Sequence, residues 1–251
     1  MQRYFIDPTK QEVIATGSIA ITGEDVHHLS NVMRMKQGQE ILCLTADGFE
    51  ALCKIDTITK EEVTCTLESW TNKNRELPIQ VAIASGLPKG DKLELIIQKG
   101  TELGASMFMP FQAERSITKL DHKKSQKKRD RWVKIAKEAA EQSYRNIIPA
   151  VHPVLSFKEL LQLAGDFDKC VVAYEESSKE GEQNRFRSLL NEMTNGQTLL
   201  IVFGPEGGLA KKEIDELEAL GAVTCGLGPR ILRTETAPLY ALSAISYQTE
   251  L

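Results

Sequence analysis

The chain has 251 residues, of which 41% are hydrophobic and 26% charged, as in a folded globular protein rather than a disordered or fibrous one. No apolar run approaches the roughly 18 residues of a membrane span, and the opening Met1–Pro8 lacks the apolar centre of a secretory signal. The net charge of −4 argues at first against nucleic acid, and no membrane partner and a cytoplasmic location are expected.

Short strands are predicted over Arg3–Ile6 and Ser18–Ile21. Val26, Leu29, Val32 and Met33 share a helical face over Glu24–Arg34. Three strands follow, Glu40–Thr45, Phe49–Thr57 and Glu62–Ser69, with turn residues at Ala46-Asp47-Gly48 and Thr59-Lys60-Glu61. Short strands with tight turns and one helix suggest a small β-barrel over residues 1–72. The polar stretch Thr71–Leu77 marks the boundary to a second domain, 73–251.

There the pattern alternates. Strands are predicted at Ile79–Ser85, Met107–Phe111, Cys170–Tyr174, Thr198–Phe203 and Val223–Leu227. Helices are predicted at Asp91–Leu103, Ser125–Tyr144, Phe157–Leu163, Phe186–Met193, Lys211–Leu220 and Pro238–Gln248. The continuous apolar strands imply an α/β domain with a largely parallel sheet.

The charge is unevenly spread. Residues 1–72 carry 6 basic and 11 acidic side chains, residues 73–145 carry 16 and 9, and residues 146–251 carry 9 and 15. The middle block centres on Lys119–Arg131 and fits either a solvated surface or a phosphate-binding face. The five cysteines, Cys43, Cys53, Cys65, Cys170 and Cys225, form no Cys-x-x-Cys pair and read as small buried residues. The four histidines add no metal-ligand spacing, so no metal is expected.

Two loops stand at predicted strand ends, where parallel sheets bind ligands. The first is Gly204-Pro205-Glu206-Gly207-Gly208-Leu209. Its three glycines serve a tight turn or the close approach of a ligand to backbone, and the helix that follows favours an anionic group. The second runs from Leu227-Gly228-Pro229 through Ile231 and Leu232 to Ala237-Pro238. Its apolar pair walls a slot for a flat ring or plugs the core. Thr236 is placed as a helix N-cap, with Pro238 in the first turn.

These two loops together resemble the cofactor-binding knot of the SPOUT superfamily of RNA methyltransferases. Three further segments, His27–Met35, Lys89-Gly90-Asp91-Lys92 with Gln98–Gly104, and Glu141–Arg145, make the whole chain similar to the ribosomal RNA small subunit methyltransferase E family. The resemblance implies a C-terminal α/β domain with a deep trefoil knot, an N-terminal PUA-like barrel and a homodimer. It also implies S-adenosylmethionine as methyl donor and, as substrate, N3 of one uridine in the decoding region of 16S ribosomal RNA in the small subunit.

On the same basis Gly204, Pro205, Glu206, Gly207 and Gly208 line one side of the cofactor. Leu227, Gly228, Ile231, Leu232, Arg233, Thr236 and Ala237 line the other, and Ala173 and Tyr174 form a third wall. Arg233 is the candidate electrostatic catalyst, unless it pairs with Glu206 or Glu235. Glu206 or Glu235 is a proton acceptor or a holder of loop amides. Candidate RNA contacts are Arg3, Arg34, Lys36, Arg115, Lys123, Lys124, Lys127, Lys128, Arg129 and Arg145. Two rival readings remain: a non-catalytic RNA-binding module, and a sister enzyme acting on a ribose 2′-hydroxyl of transfer RNA.

Overall fold

The computed structural model describes residues 1–118, 122–174 and 185–251, together with the backbone but not the side chain of His122. Lys119 to Asp121 of the expected basic block lie outside the described residues. The chain forms two compact units.

The first unit is Met1–Glu76 with Ala140–Ile147. Its strands are β1 (Arg3–Phe5), β2 (Ser18–Thr22), β3 (Glu40–Leu44), β4 (Glu50–Ile58) and β5 (Glu62–Thr71), joined in the order β1-β3-β4-β5-β2. All pairs are antiparallel except β1 with β3. Period-two burial in β2 sends Ile19 and Ile21 to the core, where they meet Cys43, Cys53, Cys65 and Leu29.

A helix over Lys10–Thr16, α1, was not anticipated, although Thr9-Lys10-Gln11-Glu12 is a capping box. Thr9 N–H donates to Glu12 Oε2 at 2.7 Å, and Gly17 ends the helix at φ +67°. The helix expected over Glu24–Arg34 is split. It begins as α2 (Glu24–His27) and continues as one π-turn, His28–Val32, where Met33 N–H reaches His28 O at 2.9 Å.

The expected boundary at 72/73 misses the segment 140–147, which belongs to this unit. Glu76 is the reason. Its carboxylate accepts from the Arg145 guanidinium and from Asn146 N–H at 2.8 Å. The buried Asn146 side chain donates to Gly48 O at 3.0 Å and to Lys73 O at 2.9 Å.

The second unit is Leu77–Ala139 with Ile148–Leu251. Its strands are β6 (Gln80–Gly86), β7 (Met107–Gln112), β8 (Ala150–Val151), β9 (Leu155–Ser156), β10 (Lys169–Ala173), β11 (Thr198–Phe203) and β12 (Val223–Cys225). Every pairing is parallel, in the order β12-β10-β11-β6-β7-β8, with β9 also on β7.

Among the described residues the helices are α3 (Lys92–Glu102), α4 (His122–Gln142, whose last residues fall in the first unit), α5 (Phe157–Ala164), α6 (Arg185–Glu192), α7 (Lys211–Ala219) and α8 (Thr236–Glu250). Two apolar layers cover the sheet. One gathers Ile83, Ile201, Ile96 and Leu242, the other Met109, Val202, Leu160 and Ile214. The side chains alternate along β11, so the strand is apolar on both faces, as a central parallel strand must be. The five cysteines are free thiols, and four of them are buried. No described helix is long and apolar enough to cross a membrane.

Candidate functional site

β12, β10 and β11 lie side by side and end at Cys225, Ala173 and Phe203. The loops that leave them therefore emerge together at the carboxyl edge of the sheet. The loop after β11 folds as a turn, with Gly208 N–H donating to Pro205 O at 2.8 Å and Gly208 at φ +70°. A Cβ on Gly204 would lie 2.8 Å from backbone atoms of Gly208 and Leu209, and one on Gly86 would lie 2.5 Å from the Pro205 ring. Only glycine at both positions lets this loop press onto itself and onto the end of β6.

A cavity of about 810 Å³ opens beside this turn. It is lined by Ala173, Tyr174, Gly204, Pro205, Glu206, Gly207, Gly208, Ile231, Leu232, Arg233 and Ala237 of the expected set. A slot of about 110 Å³ adjoins it, walled mainly by Ala173, Tyr174, Leu227, Ile231, Leu232 and Ala237. Gly228 and Thr236 line neither. A cavity of about 920 Å³ lies elsewhere, around Asp168–Cys170 and Gly221–Thr224 at the amino ends of β10 and β12. It is larger, but the strand-end rule favours the carboxyl edge.

The placement of Thr236 as N-cap is corrected. Thr236 is the first residue of α8, and Glu235 precedes it. Thr236 N–H donates to Arg233 O at 2.8 Å, so the turn at 233–236 starts the helix through backbone alone.

The charged groups at this edge are paired across long stretches of sequence. Lys92 Nζ lies 3.0 Å from Glu206 Oε1 and 3.2 Å from Glu235 Oε2. Glu206 Oε1 also accepts from Lys89 N–H at 3.1 Å. Partial burial would raise the Glu206 carboxyl, but Lys92, its own backbone N–H and that of Lys89 outweigh burial and hold it below the usual carboxylate range. Glu235 is held low by its own backbone N–H and by Lys92. The Lys92 ammonium is raised by Glu206 and Glu235. Glu206 is thus an occupied, ionised carboxylate rather than a free base.

Arg233 is exposed and makes no side-chain hydrogen bond among the described residues; Lys92 makes the ion pairs with Glu206 and Glu235, and Arg233 adds only a longer-range pull on Glu235. Lys92 belongs to the Lys89–Lys92 segment that carries the resemblance and is not among the expected site residues. Its signal is the position Lys89-Gly90-Asp91-Lys92 at the start of α3, directly after a strand end. Lys211 and Phe203 also line the cavity and were missed.

The start of α7 is partly served by the chain itself. Buried Glu213 accepts from Ala210 N–H at 2.8 Å and from Glu114 N–H at 2.9 Å. Ala210 has no side-chain acceptor, so this carboxylate is the cap. An anionic ligand there would find one amide already taken.

Of the candidate RNA contacts, two are corrected. The Arg3 side chain is 2% exposed, bonded to Glu50 at 2.7 Å, with its guanidinium 4.9 Å from the ring centre of Tyr144. The Arg145 side chain is 3% exposed and bound to Glu76. Neither cation is presented to solvent. Arg34, Lys36, Lys123, Lys124 and Lys127 are exposed; Lys128 and Arg129 are half-buried, and Arg129 Nε donates to Val151 O at 3.1 Å. Arg115 is at the cavity, donating to Gly207 O at 3.2 Å. Among the described residues no cluster of His, Cys, Asp and Glu could hold a metal.

Residues 75–246 match the family model of an RNA methyltransferase domain, and residues 21–68 that of an RNA methyltransferase PUA domain. The chain is 65% identical, over all of its length and 98% of the relative's, to ribosomal RNA small subunit methyltransferase E of Bacillus subtilis (strain 168). The chain belongs to the ribosomal RNA small subunit methyltransferase E family. A solved structure of a family member from Neisseria gonorrhoeae, bound to S-adenosyl methionine, is 27% identical with a TM-score of 0.82, covering 99% of this chain and 98% of that one. A methyltransferase from Legionella pneumophila in complex with the same cofactor is 27% identical with a TM-score of 0.77, covering 98% and 97%. Membership in this family makes the chain an α/β methyltransferase with a PUA-like N-terminal domain.

Proposed function

We propose that this chain transfers the methyl group of S-adenosylmethionine to N3 of a uridine in the decoding region of 16S ribosomal RNA, within the small ribosomal subunit. The observation that carries the reading is the pairing of the two strand-end loops around one cavity. Its volume lies in the range of small-molecule sites, roughly 300–1,000 Å³. The apolar slot between Ala173, Leu227 and Leu232 fits a purine, and the cations Arg115 and Lys211 suit a carboxylate. That donor set fits the two ends of S-adenosylmethionine.

Bound there, the cofactor supplies an electrophilic methyl group on a sulfonium. The rest of the chemistry belongs to this chain. Its main task is positioning, which can supply roughly 7–11 kcal/mol in well-oriented reactions. Arg233 offers an exposed cation on the cavity wall, where negative charge gathers on the uracil carbonyl oxygens as N3 gives its proton to solvent water. Glu206 and Glu235 remain ionised and paired, and orient the loops.

The exposed Arg34, Lys36, Lys123, Lys124 and Lys127, with Lys128, Arg129 and Arg115, are proposed to meet RNA phosphates. We further propose a deep trefoil knot in the C-terminal segment, a homodimer and a cytoplasmic location. The return of α8 onto α3 and β11, in the middle of the sheet, supports the knot. The exposed Tyr240 and Tyr247 of α8 and Leu95 of α3 offer apolar surface for a second copy.

Nucleoside mass spectrometry of 16S RNA from a deletion strain tests the substrate. The N3-methyluridine signal is expected to vanish and to return on complementation. An unchanged signal overturns the assignment.

A further inference from the structure

We propose that Lys92 is a positioning residue for methyl transfer, an ammonium clasp that holds the two cofactor loops in one geometry. The inference rests on the reading of this cavity as the S-adenosylmethionine site. Three chain segments meet at its nitrogen. Lys92 opens α3, Glu206 sits in the loop after β11, and Glu235 ends the loop after β12. Their carboxylate oxygens, at 3.0 and 3.2 Å from Nζ, are no farther apart than the sum of those distances.

Two carboxylates brought this close repel unless a cation sits between them. The Glu206 carboxylate has a second anchor, and Glu235 is tied to a helix through the chain. Glu206 Oε1 accepts from Lys89 N–H, and Glu235 directly precedes α8. The turn on the Glu206 side is packed tightly, with Gly86 against Pro205 and Gly204 against Gly208. The loop on the Glu235 side has fewer such constraints. Its Ile231 is 77% exposed, and a Cβ on Gly228, at φ +98°, would meet only the Tyr240 hydroxyl at 3.8 Å. The clasp therefore matters most for Ile231–Arg233, which carry one wall of the cavity.

Charge and positioning make opposite forecasts for Lys92→Met. By charge alone, removing a cation from the wall of the site strengthens binding of cationic S-adenosylmethionine relative to its uncharged thioether product, S-adenosylhomocysteine. By positioning, both ligands weaken by a similar factor because the wall they share is displaced. We expect at least a tenfold rise in Kd for both ligands by calorimetry. Lys92→Arg, which keeps a cation and reaches both carboxylates, is expected to stay within about threefold of wild type. Thermal unfolding without ligand checks that each variant folds. Glu235→Gln provides a second route should Lys92→Met fail to fold, and is expected to weaken both ligands in the same proportion.

Wild-type affinity in Lys92→Met, or tighter S-adenosylmethionine binding with unchanged S-adenosylhomocysteine binding, overturns the clasp. Absence of binding in the wild type overturns the cofactor reading instead, so the two failures are distinguishable.

Discussion

Gly204→Ala is the sharpest perturbation of the cofactor loop. The added methyl would stand 2.8 Å from Gly208 C and Leu209 N and 2.9 Å from Gly208 Cα. Ordinary contacts begin near 3.4 Å, so the turn must open by about half an ångström. All three neighbours are backbone, and no side chain can rotate away. Overpacking of this kind costs about 1–3 kcal/mol. At roughly 2–4 °C per kcal/mol for a unit of this size, Tm should fall by about 2–12 °C. If the shifted turn also withholds only half of that energy from the ligand, affinity falls by about 2- to 13-fold.

Gly208→Ala is the control. Its Cβ meets nothing within 4 Å, so only the cost of φ +70° remains, about 1–2 kcal/mol, with no clash in the cavity wall. Calorimetry with S-adenosylmethionine and differential scanning on both variants read the two effects. Wild-type Tm and affinity in Gly204→Ala would refute the close-packed turn.

Glu50 accepts from Arg3, Arg75 and Thr71, and its side chain is 1% exposed. Glu50→Ala strands the buried Arg3 and is expected to destabilise the first unit by about 3–5 kcal/mol in chemical denaturation. Burial would raise the Glu50 carboxyl, but Thr71 and the two guanidiniums hold it below its ordinary value. Its contribution is therefore complete above the ordinary carboxylate pKa and is lost as pH falls through the lower folded value. The gap in urea midpoint between wild type and Glu50→Ala should be constant at neutral pH and narrow as pH falls below the ordinary carboxylate range. Glu213→Ala leaves two amides, Ala210 and Glu114, without their acceptor. A loss of about 2–4 kcal/mol is expected, with faster hydrogen exchange at the start of α7. Arg233→Ala should lower kcat by about 10²-fold with little change in cofactor Kd. An equal loss in both would assign Arg233 to cofactor binding instead.

Much of the second unit was legible from local pattern. β11 spans Thr198–Phe203 as its apolar run implied, and the two strand-end loops follow from the breaks after it and after β12. What escaped was non-local. Arg3 and Arg145 read as surface cations because the carboxylates that bury them are 47 and 69 residues away. Lys92 was invisible as a site residue for the same reason, its partner Glu206 being 114 residues on. β8 and β9 are two residues each, too short for any periodicity. The helix α1 was a different kind of miss, since its capping box was present but carried a single buried residue, Val13.

The first unit is written in two pieces of the chain, separated by the stretch Leu77–Ala139, which belongs to the other unit. On a ribosome making roughly 5–20 residues per second, Glu76 waits about 4–14 s before Arg145 and Asn146 exist to bind it. Until then Asn146 cannot cap Gly48 and Lys73, and the strands must hold without that staple. Synthesis order therefore delays completion of the amino-terminal unit until the carboxyl-terminal one is well under way. An expression fragment cut at residue 72 or 76 would lack this last piece permanently.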